Sequence, residues 1–132
     1  MLKIGQIVGK YEVEAPIGRG GMSRVYRIRH VDLGGVYALK VLTTDATGLR
    51  ERFLREGRVQ ATMRHENIVA VHDVVEVGWQ PALVMDYVAG PSLAVWLDQN
   101  RPSIEEAVRL FTAIVGAIKS PSPATKLLAA VW

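Results

Sequence analysis

From Tyr11 the chain alternates. Tyr11, Val13 and Ala15 are separated by Glu12 and Glu14, the period of a half-buried strand. A glycine-rich turn at Gly18–Gly21 leads to a second strand through Val25, Tyr26 and Ile28. Asp32-Leu33-Gly34-Gly35 reads as a turn. Val36 to Leu42 reads as a third strand interrupted by one charge, Lys40. Thr43 to Gly48 is polar and loop-like. Residues 49–64 then change period: Phe53, Glu56, Gln60 and Met63 fall on one side of a helix. Gly57 interrupts it at a cost of ~1 kcal/mol relative to alanine, which either answers a packing requirement or is simply a cost.

Ile68 to Val77 and Ala82 to Val88 read as two further strands, joined by a turn at Gly78-Trp79-Gln80-Pro81. Ser92 is the N-cap of a short helix that turns Leu93, Trp96 and Leu97 inward. Ser103 and Glu106 form a capping box for a longer helix. Its apolar stripe runs through Ile104, Ala107, Val108, Phe111, Ile114, Val115 and Ile118. After Lys119 the stripe gives way to Ser120-Pro121-Ser122-Pro123, which cannot continue a helix. The chain closes on a short apolar run, Leu127 to Trp132. The expected class is α+β: a five-stranded antiparallel sheet with one helix packed on it, followed by two helices. The expected divisions are residues 1–10, 11–88, 89–118 and 119–132.

Composition narrows the function without naming it. Hydrophobic residues at 49% and charged residues at 22% of a 132-residue chain point to one packed domain rather than disorder. The net charge of +3 is mild, and Arg50, Arg52, Arg55 and Arg58 are interleaved with Glu51 and Glu56. That is a solvated helix face rather than a nucleic-acid footprint. The absence of cysteine excludes disulfides and thiolate metal sites, and a reducing cytoplasm is the simplest location. No signal peptide is evident, and no apolar run approaches the ~20 residues of a membrane span.

The chemistry begins at Ile17-Gly18-Arg19-Gly20-Gly21-Met22-Ser23-Arg24-Val25. Glycines in such a turn let main-chain N–H groups approach a phosphate; the same run also suits a flexible hairpin tip. A Rossmann turn would be followed by a helix, but Val25-Tyr26-Arg27-Ile28 is strand-like. A Walker loop needs Gly-Lys-Ser/Thr, and Gly9-Lys10 is followed by Tyr11. A glycine-rich loop between two strands is the arrangement of protein kinases. Lys40, in Tyr37-Ala38-Leu39-Lys40, is costly to bury without an anion nearby, unless it points to solvent from an edge strand. Glu56 shares a helix face with Phe53 and Met63 and is positioned to answer Lys40; its other partner would be Arg52, four residues earlier.

Gly-Arg-Gly-Gly-Met-Ser-Arg-Val-Tyr, Ala-Leu-Lys, Phe-Leu-Arg-Glu, His65-Glu66-Asn67-Ile68-Val69 and Leu83-Val84-Met85-Asp86-Tyr87-Val88 stand in one order and spacing. In this, residues 11–118 resemble the small lobe, hinge and first large-lobe helices of a serine/threonine protein kinase of the bacterial, eukaryotic-like type. The resemblance implies ATP as ligand. Gly18, Arg19, Gly20, Gly21, Met22 and Ser23 would cover its phosphates, Lys40 would hold them with Glu56 pairing to Lys40, and Ile17, Val25 and Ala38 would line the adenine slot. Met85 would guard its back, and Asp86, Tyr87 and Val88 would be the hinge. Ser23 stands where a third loop glycine is common. Asp86 stands where glutamate is, and little effect is expected because main-chain groups do the binding. His65 reads as a structural turn, His72-Asp73 as a strand-end pair, and Asp32-Leu33-Gly34 as a turn.

A kinase also needs the aspartate of a His-Arg-Asp loop, and an asparagine and a second aspartate for Mg²⁺. The sequence contains no His-Arg-Asp and no downstream Asp-Phe-Gly. No catalytic residue and no metal ligand are therefore assigned. Mg²⁺ and a protein substrate belong to complete relatives. The break near Lys119 suggests a truncation or a change of reading frame. Two alternatives stand beside the kinase reading: a non-catalytic module that docks through the helix at 104–118, and a gene remnant.

Overall fold

The computed structural model describes residues 1–118. The expected tail at 119–132 lies outside the described residues. The elements are β1 (Ile7–Val8), β2 (Tyr11–Arg19), β3 (Ser23–His30), β4 (Val36–Leu42), α1 (Leu49–Thr62), β5 (Val71–Val77), β6 (Gln80–Asp86), α2 (Leu93–Gln99) and α3 (Ile104–Ile118). The strands form one antiparallel sheet in the order β1-β2-β3-β4-β6-β5. It has six strands rather than the expected five. The addition is β1, whose two residues pair with Glu12 and Tyr11 and are too few to show a period.

Two compact units divide the chain. Met1–Thr62 with Ala70–Val88 carries the sheet and α1; Met63–Val69 with the residues from Ala89 onward carries α2 and α3.

In the first unit, register separates the two faces of the sheet, because directly paired residues project to the same side. Tyr26, Leu39 and Val84 form one cross-strand row, and Val41 and Ala82 pair beside it. With Val8, Tyr11, Val13 and Ile28 they make the closed hydrophobic core. The opposite face carries the rows Val25–Lys40–Leu83 and Arg27–Ala38–Met85. Helix α1 packs on β5 and β6, and Gly57 explains how. A Cβ at this position would stand 2.6 Å from Leu83 Cδ2. Glycine therefore lets the helix axis settle onto Leu83, the packing reason that its helix cost requires.

Around β5 and β6 the boundaries differ from expectation. β5 begins at Val71 rather than Ile68, because the Ile68 N–H turns back to the His65 carbonyl at 3.0 Å. The β5–β6 turn is only Gly78-Trp79, with Gly78 at φ 60°, the left-handed first position that a tight hairpin turn gives to glycine. Gln80 and Pro81 already belong to β6. Pro81 is tolerated there because the β4 register ends at Val41–Ala82, so no β4 partner needs its missing N–H. β6 ends at Asp86, short of Val88.

In the second unit both caps form as read. Ser92 accepts from the Val95 N–H. Ser103 and Glu106 exchange reciprocal bonds of 2.9 and 3.2 Å, and these hold the Glu106 carboxyl below its ordinary pKa. His65 acts as the turn residue expected, its Nδ1 accepting from the Asn67 N–H. Asn67 in turn donates to the Ala113 carbonyl of α3 at 3.1 Å. Leu93 and Leu97 are not inward: each remains more than two-fifths exposed. Periodicity selects the face a helix would bury; it does not supply the partner.

Candidate nucleotide-binding site

The site is built on the Lys40 face of the first unit. Main-chain pairing continues across β2, so that Gly18, Val25, Lys40 and Leu83 stand in register on four strands. Lys40 is thereby flanked by Val25 and Leu83, and β4 is an inner strand. The edge-strand alternative for this lysine does not hold. Burial lowers the Lys40 pKa, and the negative charge of Glu56 works against that shift. Folding therefore disfavours the ammonium form, and the carboxylate of α1 only partly offsets the loss.

Glu56 reaches this neighbourhood because the adjacent Gly57 seats α1 on Leu83, the cross-strand neighbour of Lys40. Its Oε1 also accepts from Arg52 Nε at 2.9 Å. Both sequence-level partners of Glu56 thus apply: Arg52 by contact, Lys40 by charge.

The loop between β2 and β3 is narrower than its sequence suggests. β2 continues through Gly18 to Arg19, and the turn proper is Gly20-Gly21-Met22. The Gly20 N–H closes it on the Ser23 carbonyl at 2.8 Å. None of Gly18, Gly20 and Gly21 has a left-handed backbone. A Cβ at Gly18 or Gly20 would meet nothing nearer than 3.5 Å, and at Gly21 nothing at all. Neither the fold nor its packing demands glycine here. The space these residues leave open is the space a phosphate group would need. Arg19 and Met22 are exposed and Ser23 is half-buried. Ile17 is the extra residue of a bulge in β2 and is 44% exposed.

Ala38 and Met85 are directly paired and buried. Asp86 closes β6, Tyr87 follows half-buried, and Val88 is exposed. Arg27, the other neighbour of Ala38, places its guanidinium 5.5 Å from the centre of the Tyr87 ring. Arg27 Nε lies 3.2 Å from Glu14 Oε2 without hydrogen-bond geometry, and Glu14 Oε1 accepts from Arg29 Nε at 2.6 Å. Sequence reasoning missed this Glu14–Arg27–Tyr87 chain, because Glu14 is the extra residue of a bulge between the Val13–Ile28 and Ala15–Arg27 pairs, which no local period announces. His72 and Asp73 are not a pair. His72 Nε2 meets Asp86 Oδ1, whereas Asp73 lies near the Tyr11 hydroxyl at 3.4 Å and Lys10 at 3.9 Å. Among the described residues, no three His, Asp or Glu side chains gather as a metal site would require. A concavity of about 490 Å³ lies elsewhere, on the outer side of α1 between Glu51, Arg52, Arg55 and Arg58, and touches none of the expected site residues except through the helix that carries Glu56.

Comparison with known proteins supports the fold and the family. The family model described as protein kinase domain matches residues 11–120. A probable serine/threonine-protein kinase PknB of Lactococcus lactis is 36% identical over 124 residues, covering 89% of this chain and 20% of the relative. Serine/threonine-protein kinase PrkC of Bacillus subtilis is 34% identical, covering 86% and 18%. The PknI kinase domain of Mycobacterium tuberculosis superposes with a TM-score of 0.77 at 31% identity, over 89% of this chain and 49% of that structure. The chain therefore spans about a fifth of these curated relatives and about half of the solved kinase domain. It belongs to the protein kinase family, among relatives that are bacterial serine/threonine kinases.

Proposed function

We propose that the first unit binds ATP on its Lys40 face. The observation that carries this is Lys40 itself: a cation half-buried on an inner strand, disfavoured there by burial, in register with Gly18 beside a glycine turn that the fold itself does not require. Gly18, Arg19, Gly20, Gly21, Met22 and Ser23 would cover the phosphates through main-chain N–H groups. Lys40 would meet them, with Glu56 holding it. Ile17, Val25, Ala38 and Met85 would enclose the adenine, and the main chain of Asp86, Tyr87 and Val88 would read its edge. ATP would supply an anion that favours the ammonium form which burial disfavours. Titration with a fluorescent ATP analogue tests this: a saturable signal that unlabelled ATP competes away supports it, and none in a folded sample rejects it.

Phosphoryl transfer is a separate matter. It relies on metal ions and a positioned aspartate to neutralise and orient the reacting groups, and the 132 residues contain no His-Arg-Asp. This chain binds nucleotide without transferring phosphate to protein hydroxyls, as complete family members would with Mg²⁺. Incubation with radiolabelled Mg-ATP and a general acceptor protein should leave no incorporated label; label that vanishes in Lys40→Ala would contradict this.

The exposure of α3 favours a second reading, docking on a protein partner. Ile104, Val108 and Phe111 are each more than half exposed on one stripe, although the helix is fully capped at its start.

A further inference from the structure

The β5–β6 ladder breaks its register once. Val71 pairs with Met85 and Asp73 with Val84, so His72 is the extra residue of a bulge. Bulges re-aim side chains, and this one brings His72 Nε2 to Asp86 Oδ1 at 2.5 Å. The Tyr37 ring lies edge-on to the imidazole, with centroids 5.5 Å apart. Beyond the bulge the ladder runs one step further in an altered form. The Asp86 N–H donates to the Ala70 carbonyl at 3.0 Å, as in a regular pair. The return bond differs: the Ala70 N–H goes to Asp86 Oδ2, also at 3.0 Å. The carboxylate has taken the place that the main-chain carbonyl of Asp86 would fill.

We propose that His72 and the Asp86 carboxylate are a positioning pair that fixes the end of β6 and reserves the Asp86 carbonyl for the amino group of a bound adenine nucleotide. This rests on the ATP reading above. It gives the Asp86 side chain a part that the sequence did not suggest: one oxygen replaces a ladder acceptor, and the other is held by His72 so that the first stays in line. His72 touches no ligand in this scheme and acts only through Asp86.

The test uses the 132-residue chain with His72→Phe, which keeps a ring against Tyr37 but loses the donor, and His72→Gln, which keeps a donor. ATP and inosine triphosphate, which lacks the amino group, compete against a fluorescent ATP analogue, while amide hydrogen exchange is followed at Ala70. The expected result is that His72→Phe weakens ATP about fivefold, the effect of roughly one hydrogen bond. Inosine triphosphate should stay within about twofold on the same scale. Ala70 exchange should accelerate, and His72→Gln should recover most of both effects. Equal loss of both nucleotides, or unchanged ATP affinity in His72→Phe beside a wild type that binds, overturns the positioning pair alone. A folded wild type with no saturable ATP signal overturns the ATP reading and the pair with it.

Discussion

Lys40 separates what this fold needs from what its site needs. A lysine on an inner strand, between Val25 and Leu83, loses hydration that Glu56 only partly replaces. Replacing it by methionine keeps the length of the side chain and removes the desolvated charge. Glu56 retains Arg52 as a partner. Lys40→Met is therefore expected to leave the thermal midpoint unchanged or raised, while nucleotide affinity falls ~10-fold or more, the worth of a charge-assisted bond. Thermal unfolding and titration on one sample read both. A large drop in midpoint would show instead that Lys40 is structural. This residue was legible in the sequence because a charge interrupts an apolar strand. The Asp86–His72 pair was not, because it depends on a bulge that no local period announces.

Elements follow from sequence where a period is long enough to repeat and a partner is at hand. β2, β3, β4 and α1 satisfy both conditions and stand where the sequence puts them, although a bulge at Glu14 interrupts the alternation of β2. β1 has too few residues for a period. The Gln80-Pro81 pair resembles a turn, yet becomes strand because β6 extends beyond β4 there. The position of α1 turns on Gly57. Alanine gains ~1 kcal/mol of helix propensity, but its Cβ would stand 2.6 and 2.9 Å from the two Leu83 methyls. Overpacking of this kind costs ~1–3 kcal/mol. Gly57→Ala should thus be neutral to about 2 kcal/mol destabilising on the balance of these two effects. The same change in a Leu83→Ala background should be stabilising. Denaturant unfolding of the four proteins measures the coupling, and additivity would mean that Gly57 does not set the contact.

At the scale of the whole molecule, the two units differ in how completely they cover themselves. The sheet unit encloses a core of nine buried residues. α3 of the second unit presents Ile104, Val108 and Phe111 to solvent, and an apolar stripe of this kind favours association. Light scattering should show concentration-dependent association that Val108→Glu with Phe111→Glu reduces; a monodisperse monomer at all concentrations would contradict it. Among the described residues, no helix is long and apolar enough to cross a membrane.

The central claim is that Lys40 and Gly18, brought into register by the sheet, make a nucleotide site with the adjoining glycine turn of the first unit. Competition of unlabelled ATP against a fluorescent analogue, in wild type and Lys40→Ala, tests it most directly. The account predicts saturable, competed binding in wild type and its loss in a Lys40→Ala chain that remains folded by circular dichroism. Equal binding by the two folded proteins, or none by either, would contradict it.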